Sequence, residues 1–99
     1  MIYQVRFIRS AGEECKKLPP EIRKAAREGL RELAKNPFLG KELERDLSGF
    51  RSYRFMRWRI VYKVDVEAKI VTVRDIGPRG TVYERFAEQL ARMGPDGIE

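Results

Sequence analysis

The sequence of 99 residues contains no histidine and a single cysteine, Cys15. The absence of imidazole excludes Ser-His-Asp hydrolysis, histidine-based RNA cleavage and most zinc chemistry, because each of these requires a histidine side chain. One cysteine excludes both a disulfide framework and a cysteine-rich metal site. Any chemistry must therefore use Arg, Lys, Tyr, Ser or carboxylate side chains, and we expect neither a metal nor a cofactor.

The sequence also lacks a hydrophobic run of membrane-spanning length and the pattern of a signal peptide. We therefore expect a cytoplasmic protein without a membrane partner. Its length allows one domain, and its apolar content of 42% is ordinary for a globular protein. We assign residues 1–92 to this domain and residues 93–99 to a flexible C-terminal tail.

Positive charge is in excess, because 21 Lys and Arg residues stand against 15 Asp and Glu residues, a net charge of +6. Charged residues make up 36% of the chain, and the sequence pI is near 9.8. A small basic protein of this kind usually binds a polyanion, which is a nucleic acid, an acidic protein segment or a membrane surface.

The hydrophobic pattern predicts the order β-α-α-β-β-β-α. Alternation places Tyr3, Val5 and Phe7 on one side of a first strand, and helices are predicted over residues 10–18 and 20–36. The basic positions of the second helix are typical of a solvated surface: Arg23, Lys24, Arg27, Arg31 and Lys35. Three apolar runs then predict an antiparallel meander, and a last helix follows: 50–56, 58–66, 69–76 and 81–92. The predicted fold class is α+β, a twisted, mostly antiparallel sheet with helices packed on one face.

The register of the predicted meander assigns side chains to two faces. A first turn at Met56 and Arg57 brings Arg54 opposite Arg59. A second turn centred on residues 67 and 68 brings Val61 opposite Arg74 and Lys63 opposite Thr72. One face is then apolar, with Tyr53, Phe55, Ile60, Tyr62, Val64, Val66, Val71 and Val73. The other carries Ser52, Arg54, Arg59, Val61, Lys63, Thr72 and Arg74, with Asp65 alone among carboxylates at its rim.

Like charges directly opposite each other on a sheet cost up to roughly 1 kcal/mol per pair. A solvated face could hold arginines for solubility, but solubility is normally achieved with both signs of charge. The pattern therefore favours anion binding. Gly77, Pro78 and Gly80 predict a rigid turn that presents Arg79 beyond the last strand, and Tyr83 falls in the first turn of the final helix. Both side chains could reach the same face.

The strings LSGFRSYRFMRWRIVY (residues 47–62) and IGPRGTVY (residues 76–83) resemble the RelE/ParE superfamily of bacterial and archaeal toxins, in particular the RelE branch. The resemblance covers nearly the whole chain, since the opening strand, the helix pair and the break between Leu33 and Pro37 also fit. Two positions depart from the family pattern: Ser52 replaces a frequent Lys or Arg, and the turn at Met56 and Arg57 lacks the common glycine.

This resemblance implies a RelE-like, microbial ribonuclease-type fold and a ribosome-dependent endoribonuclease that cuts mRNA in the decoding site. It also implies a cognate RelB-like antitoxin with an acidic segment, a toxin that is monomeric alone, and a hetero-oligomer of the two. The catalytic positions that match the family motif are Arg54, Arg59, Arg79 and Tyr83. The remaining cations are interpreted as RNA or ribosome contacts: Arg51, Arg57, Lys63 and Arg74.

RNA can be cut without a metal when its own 2′-hydroxyl attacks the neighbouring phosphate. Guanidinium groups suit the developing negative charge, and Tyr83 is the candidate general base or general acid. Nearby arginines would lower the pKa of its phenol from an ordinary value of about 10. Two alternatives remain open: a ParE-like inhibitor of DNA gyrase, and a non-catalytic protein that binds RNA or the antitoxin.

Overall fold

The computed structural model describes residues 2–78 and 86–88. Within these ranges the elements are β1 (Gln4–Phe7), α1 (Arg9–Lys17), α2 (Pro20–Lys35), β2 (Lys41–Glu42), a 3-10 turn (Arg45–Leu47), β3 (Arg51–Phe55), β4 (Trp58–Asp65) and β5 (Ile70–Pro78). The predicted final helix over 81–92 is described only at 86–88, which are helical, and the predicted tail 93–99 lies outside the described residues. In the described ranges no helix is long and apolar enough to cross a membrane.

The five strands form one mixed sheet in the order β1-β5-β4-β3-β2. Strand β1 runs parallel to β5, whereas the other neighbouring pairs are antiparallel. This arrangement confirms the predicted α+β class and the mostly antiparallel sheet. Strand β2 is an addition that the sequence did not predict, because two residues are too short to produce a periodic pattern.

One face of the sheet, called the helix face here, packs against α1 and α2. Helix α2 begins with a proline in its first turn and buries Ala26, Leu30 and Leu33, which are spaced as one helical stripe. Their sheet partners include Phe55, Ile60, Tyr62, Val71 and Val73, all of which were predicted for this face. Val66 was predicted here wrongly: it is 50% exposed, because it lies in the turn between β4 and β5.

The opposite face, called the arginine face, carries a second and smaller apolar cluster. Its buried members are Phe50, Val61 and Phe86. The rings of Phe50 and Phe86 meet edge to face, with their centroids 4.9 Å apart. Leu43 and Leu47 pack against this cluster from the chain between α2 and β3. Part of the arginine face is therefore covered by apolar side chains instead of being open to solvent.

The β4–β5 register agrees with the prediction from Asp65, next to the turn, back to Tyr62. Lys63 lies opposite Thr72 as predicted, but a β-bulge follows, with a register shift between Val61 and Tyr62. Val61 consequently pairs with Asp75 and not with Arg74, so that prediction is wrong.

Beyond the bulge, β5 continues farther than the sequence indicated. Gly77 lies opposite Arg59 and Pro78 opposite Trp58, where a turn was predicted. Strand β5 is thus the neighbour of β4 along the whole length of β4, from Asp65 back to Trp58.

Candidate functional site

The β3–β4 hairpin places two arginines side by side on the arginine face. Its turn lies at Met56 and Arg57, with Met56 in the left-handed region at φ 52°. The pairing of Phe55 with Trp58 then brings Arg54 directly opposite Arg59, as the sequence predicted. Cβ atoms of such a pair are roughly 4.5–5.5 Å apart. The Arg54 side chain is exposed and Arg59 is half-buried, so two positive charges meet at the surface.

These arginines border a groove of about 740 Å³, the arginine groove. Its second wall is the segment of residues 39–44, which contains β2. Lys41 lies opposite Ser52 in the β2–β3 pair and therefore on the same sheet face as Arg54. The sequence interpretation missed this third cation because it missed β2.

Carboxylates also line this groove, contrary to the expectation that only Asp65 lies near the arginine face. Glu42 and Glu44 belong to the wall that contains β2. Asp75, the bulge partner of Val61, does not line the groove; it is buried, and its carboxylate accepts a hydrogen bond from the backbone N–H of Ile76 at 2.9 Å. The site therefore combines cations with proton acceptors, so it is not purely basic.

The wall of the groove is fixed by Tyr62, which is fully buried on the helix face. Its hydroxyl donates a hydrogen bond to the carbonyl oxygen of Pro37 at 2.7 Å and accepts one from the N–H of Gly40 at 3.0 Å. Only glycine fits at position 40, because a Cβ atom would contact the Tyr62 hydroxyl and lie 2.8 Å from the carbonyl oxygen of Ser52. Burial raises the pKa of the Tyr62 phenol, against the opposing effects of the Gly40 hydrogen bond and the Arg51 charge.

Arg51 braces the same wall. Its Nε atom donates a hydrogen bond to the carbonyl oxygen of Gly40 at 3.1 Å, and its guanidinium carbon lies 5.2 Å from the centre of the Phe38 ring. The predicted ribosome contact of Arg51 stays a prediction. The structure adds a positioning task, which is to hold the chain next to Lys41.

The other predicted contact residues are placed differently from one another. Arg57 is exposed at the hairpin turn. The Lys63 ammonium lies 5.7 Å from the centre of the Phe50 ring. Arg74 is only 3% exposed, and its guanidinium carbon lies 5.6 Å from the Phe50 ring centre and 6.0 Å from that of Phe86. This position favours packing on aromatic rings over contact with RNA, because the bulge turns Arg74 away from the predicted register.

Arg79 and Tyr83, the other two predicted catalytic residues, lie outside the described residues. The structure thus brings together Arg54, Arg59 and the unpredicted Lys41. Guanidinium and ammonium groups around one groove are suited to hold phosphate oxygens. Among residues 2–78 and 86–88, no three His, Cys, Asp or Glu side chains gather in a way that could hold a metal ion.

This combination defines a class of protein: a small basic α+β domain whose antiparallel hairpin places facing arginines beside a groove. A family model described as "ParE toxin of type II toxin-antitoxin system, parDE" matches residues 5–83. The Mycobacterium tuberculosis protein named Toxin RelG is 36% identical over 87 residues, which is 86% of this chain and 100% of that protein.

Solved structures agree with these sequence matches. The RelBE2 toxin–antitoxin complex of Mycobacterium tuberculosis contains a chain with a TM-score of 0.75 and 34% identity, covering 80% of this chain and 100% of that one. A double arginine-to-alanine mutant of the E. coli toxin RelE in the free state has the same fold, with a TM-score of 0.76 at 24% identity over 94% of this chain and 99% of that one. The chain belongs to the RelE/ParE family of toxins, each of which is one partner of a type II toxin–antitoxin pair.

Proposed function

We propose that this protein is a cytoplasmic, ribosome-dependent endoribonuclease that cleaves mRNA in the ribosomal A site and is neutralised by a RelB-like antitoxin. The observation that carries the proposal is the direct juxtaposition of Arg54 and Arg59 at a groove that Lys41 also lines. Three cations at one groove match the charge of a phosphate that gains negative charge during cleavage. Solved relatives are toxin–antitoxin complexes, which supports the antitoxin as a partner.

In the proposed reaction the 2′-oxygen of a ribose attacks the adjacent phosphorus, and the bond from phosphorus to the 5′-oxygen breaks. The 2′-hydroxyl proton passes to a general base, and a general acid gives a proton to the departing 5′-oxygen, which leaves a 2′,3′-cyclic phosphate. Arg54, Arg59 and Arg79 stabilise the charge on the phosphorus-bound oxygens. No metal takes part in this scheme, and the ribosome supplies part of the orientation of the RNA.

Tyr83 is the proposed base or acid, and the wall of the arginine groove offers two further proton acceptors. Glu42 and Glu44 line that groove together with Arg54 and Arg59. A carboxylate accepts a proton readily, whereas a phenol must first be ionised or act as the acid. In this proposal the general base is either one of these two carboxylates or Tyr83.

A second candidate function is inhibition of DNA gyrase without nuclease chemistry. It is favoured by the description of the matching family model, which names the ParE toxin of the parDE system. The pair Arg79 and Tyr83 argues against it, because the sequence resemblance associates this pair with the RelE branch. The third alternative, a non-catalytic RNA- or antitoxin-binding protein, would use the same cations without needing Tyr83.

The test is cleavage of a defined mRNA on purified ribosomes, with 5′ ends mapped after reaction. We expect Arg59→Ala, Arg79→Ala and Tyr83→Phe each to lower the cleavage rate by about 10²–10³-fold, as loss of a group that stabilises transition-state charge or moves a proton does. Arg9→Ala is the matched control, since the Arg9 side chain is 93% exposed and pairs with Glu13 on α1. Cleavage that persists in all three variants, or arrest of gyrase supercoiling without mRNA cleavage, would contradict the proposal.

A further inference from the structure

One buried carboxylate, that of Asp75, has no role in the proposed reaction. It is 1% exposed on β5 and does not line the arginine groove. Its Oδ1 atom accepts the hydrogen bond from the N–H of Ile76, which occupies one of about four acceptor positions of a carboxylate. Fully buried carboxylates are normally paired with a cation, because an isolated buried charge is costly. The burial of Asp75 therefore predicts a cationic partner on the same face of the sheet.

The β-bulge in β5 decides which face Asp75 lies on. Side chains alternate along a regular strand, so Asp75 would follow Val73, two residues earlier, into the apolar core of the helix face. The register shift instead brings Asp75 opposite Val61 of the arginine face, and it turns Ile76 into the core. Bulges next to functional sites commonly re-aim a side chain in this way. The bulge thus places a carboxylate on the face that carries the arginines.

Strand pairing makes Arg59 a diagonal neighbour of Asp75. Arg59 lies opposite Gly77, two residues from Asp75 along β5, and Gly77 has no side chain to separate the two. Diagonal positions on one sheet face are roughly 7–8 Å apart, a distance that a long side chain such as arginine spans. Arg59 lines the arginine groove, whereas its Nε atom is buried. The guanidinium group therefore has an outer part at the groove and an inner part on the protein side, where Asp75 is buried.

The other cations of this face are positioned elsewhere. The Lys63 ammonium lies 5.7 Å and the Arg74 guanidinium carbon 5.6 Å from the centre of the Phe50 ring. The cations of β3 are separated from β5 by the whole of β4. Among the described residues, Arg59 is therefore the cation that strand pairing places beside Asp75.

We propose that Asp75 is a positioning residue, which holds the inner part of the Arg59 guanidinium so that its outer N–H groups face a phosphate in the arginine groove. This inference rests on the proposed function in assigning a phosphate to that groove. A negative charge behind Arg59 also offsets the repulsion from Arg54, which lies directly opposite on β3. The bulge in β5 is then part of the functional site.

The experiment compares mRNA cleavage on purified ribosomes by the unchanged protein and by Asp75→Asn. Asparagine has the size of aspartate and can still accept the Ile76 hydrogen bond, so this variant removes the charge alone. We expect kcat to fall by about tenfold with KM changed by less than about twofold, because the arginine is present but no longer fixed. Asp65→Asn is the matched control and should cleave at the unchanged rate. The exposed Asp65 likewise accepts a backbone N–H, that of Ala68 at 3.0 Å.

A double-mutant cycle shows whether Asp75 acts through Arg59. In the Arg59→Ala background, Asp75→Asn should change kcat by less than about twofold, because no guanidinium is left to hold. The same variants are compared by urea denaturation, which requires no activity. Asp75→Asn should lower the urea midpoint of the unchanged protein but raise that of Arg59→Ala, in which the buried carboxylate has lost the guanidinium.

An equal loss of kcat in both backgrounds, or an unchanged kcat in Asp75→Asn, would overturn the inference. If Asp75→Asn alone does not fold, recovery of folding in the double variant supports the pairing with Arg59, and no recovery contradicts it. An unchanged protein that cuts no mRNA would refute the nuclease proposal alone. The urea midpoints would then decide: additive shifts overturn the inference, and non-additive shifts support it.

Discussion

The two faces of the β3–β4–β5 sheet are built from the same alternating strands but stabilised differently. The helix face holds a continuous apolar core that spans the sheet and both helices, with Ile60, Val71 and Leu33 fully buried. The arginine face has only the small cluster of Phe50, Val61 and Phe86. Its remaining surface presents cations, so one side of the sheet carries both a small apolar cluster and the charges of the proposed anion site.

The difference shows how a small domain can keep charges at fixed positions. Phe50 packs below Lys63 and Arg74, each of which lies within 6 Å of its ring centre. An aromatic ring attracts such cations through its negative face, by about 0.5–1 kcal/mol for an exposed pair and about 2 kcal/mol for a desolvated one. The apolar cluster on the arginine face thus positions cations and also buries apolar surface. The helix face is stabilised mainly by the packing of its apolar side chains.

The largest effect is expected from removing the centre of this small cluster. Phe50→Ala should lower the free energy of unfolding by about 3–5 kcal/mol, as loss of a buried phenylalanine usually does. The matched substitution on the helix face is Leu33→Ala, with an expected loss of about 2–5 kcal/mol. Urea denaturation of both variants compares the two faces directly.

Phe50→Leu refines this comparison, because it retains an apolar side chain but removes the ring under Lys63 and Arg74. We expect the free energy of unfolding of Phe50→Leu to lie between those of the unchanged protein and Phe50→Ala. If Phe50→Ala costs less than about 0.5 kcal/mol, the range typical of a surface site, then the arginine face is simply solvated and the second cluster is not part of the core.

The second effect concerns the wall of the arginine groove. Tyr62→Phe should cost about 1–3 kcal/mol, because it leaves the N–H of Gly40 and the carbonyl of Pro37 buried without their partner. Tyr53→Phe is the matched control, since within the described chain the Tyr53 hydroxyl makes no hydrogen bond. Equal stability of the two variants in urea would show that the Tyr62 hydroxyl is not what ties residues 37–40 to the sheet.

Most of the helix face and the β3–β4 hairpin could be predicted from the sequence. Alternation of apolar and charged residues has a period of two, and the two-residue turn at Met56 and Arg57 sets its phase. Once the phase is set, the position of Arg54 opposite Arg59 follows. The family motif led to the same residues, because strand parity and the motif depend on the same side chains.

The bulge and β2 could not be predicted, for two physical reasons. A bulge adds one residue to a strand without any required residue type, so nothing in the sequence near Arg74 signals it. Strand β2 has two residues and is held by long-range contacts of Tyr62 and Arg51, which no local pattern reveals. The missing cation Lys41 and the misplaced Arg74 both follow from these two omissions.

The third prediction uses the pH dependence of stability. The pKa of Tyr62 is raised by burial, so above pH 10 the unfolded chain loses this proton before the folded protein does. The folded state then binds more protons, and stability falls as pH rises, by at most about 1.4 kcal/mol per pH unit for one group. The stability difference between the unchanged protein and Tyr62→Phe should therefore shrink between pH 9 and 11.

That difference is measured by urea denaturation at each pH, which cancels the titration of the other tyrosines and lysines. A difference that stays constant across this range would mean that Tyr62 ionises equally in the folded and unfolded states. Its burial would then not be what keeps the phenol neutral.

The smallest expected effect belongs to Lys41, and it concerns activity and not stability. Lys41→Ala should lower the rate of mRNA cleavage on ribosomes by about threefold to tenfold. The effect is small because an exposed lysine ammonium acts as a point charge and does not form the paired hydrogen bonds that a guanidinium group makes to phosphate. Lys41→Arg should restore most of the rate, and Lys24→Ala, a control on α2, should leave it unchanged. A loss that appears in KM and fades with salt would indicate that Lys41 acts in RNA binding. If Lys41→Ala cleaves at the unchanged rate, the cations of β3 and β4 suffice, and β2 serves only as the edge of the sheet.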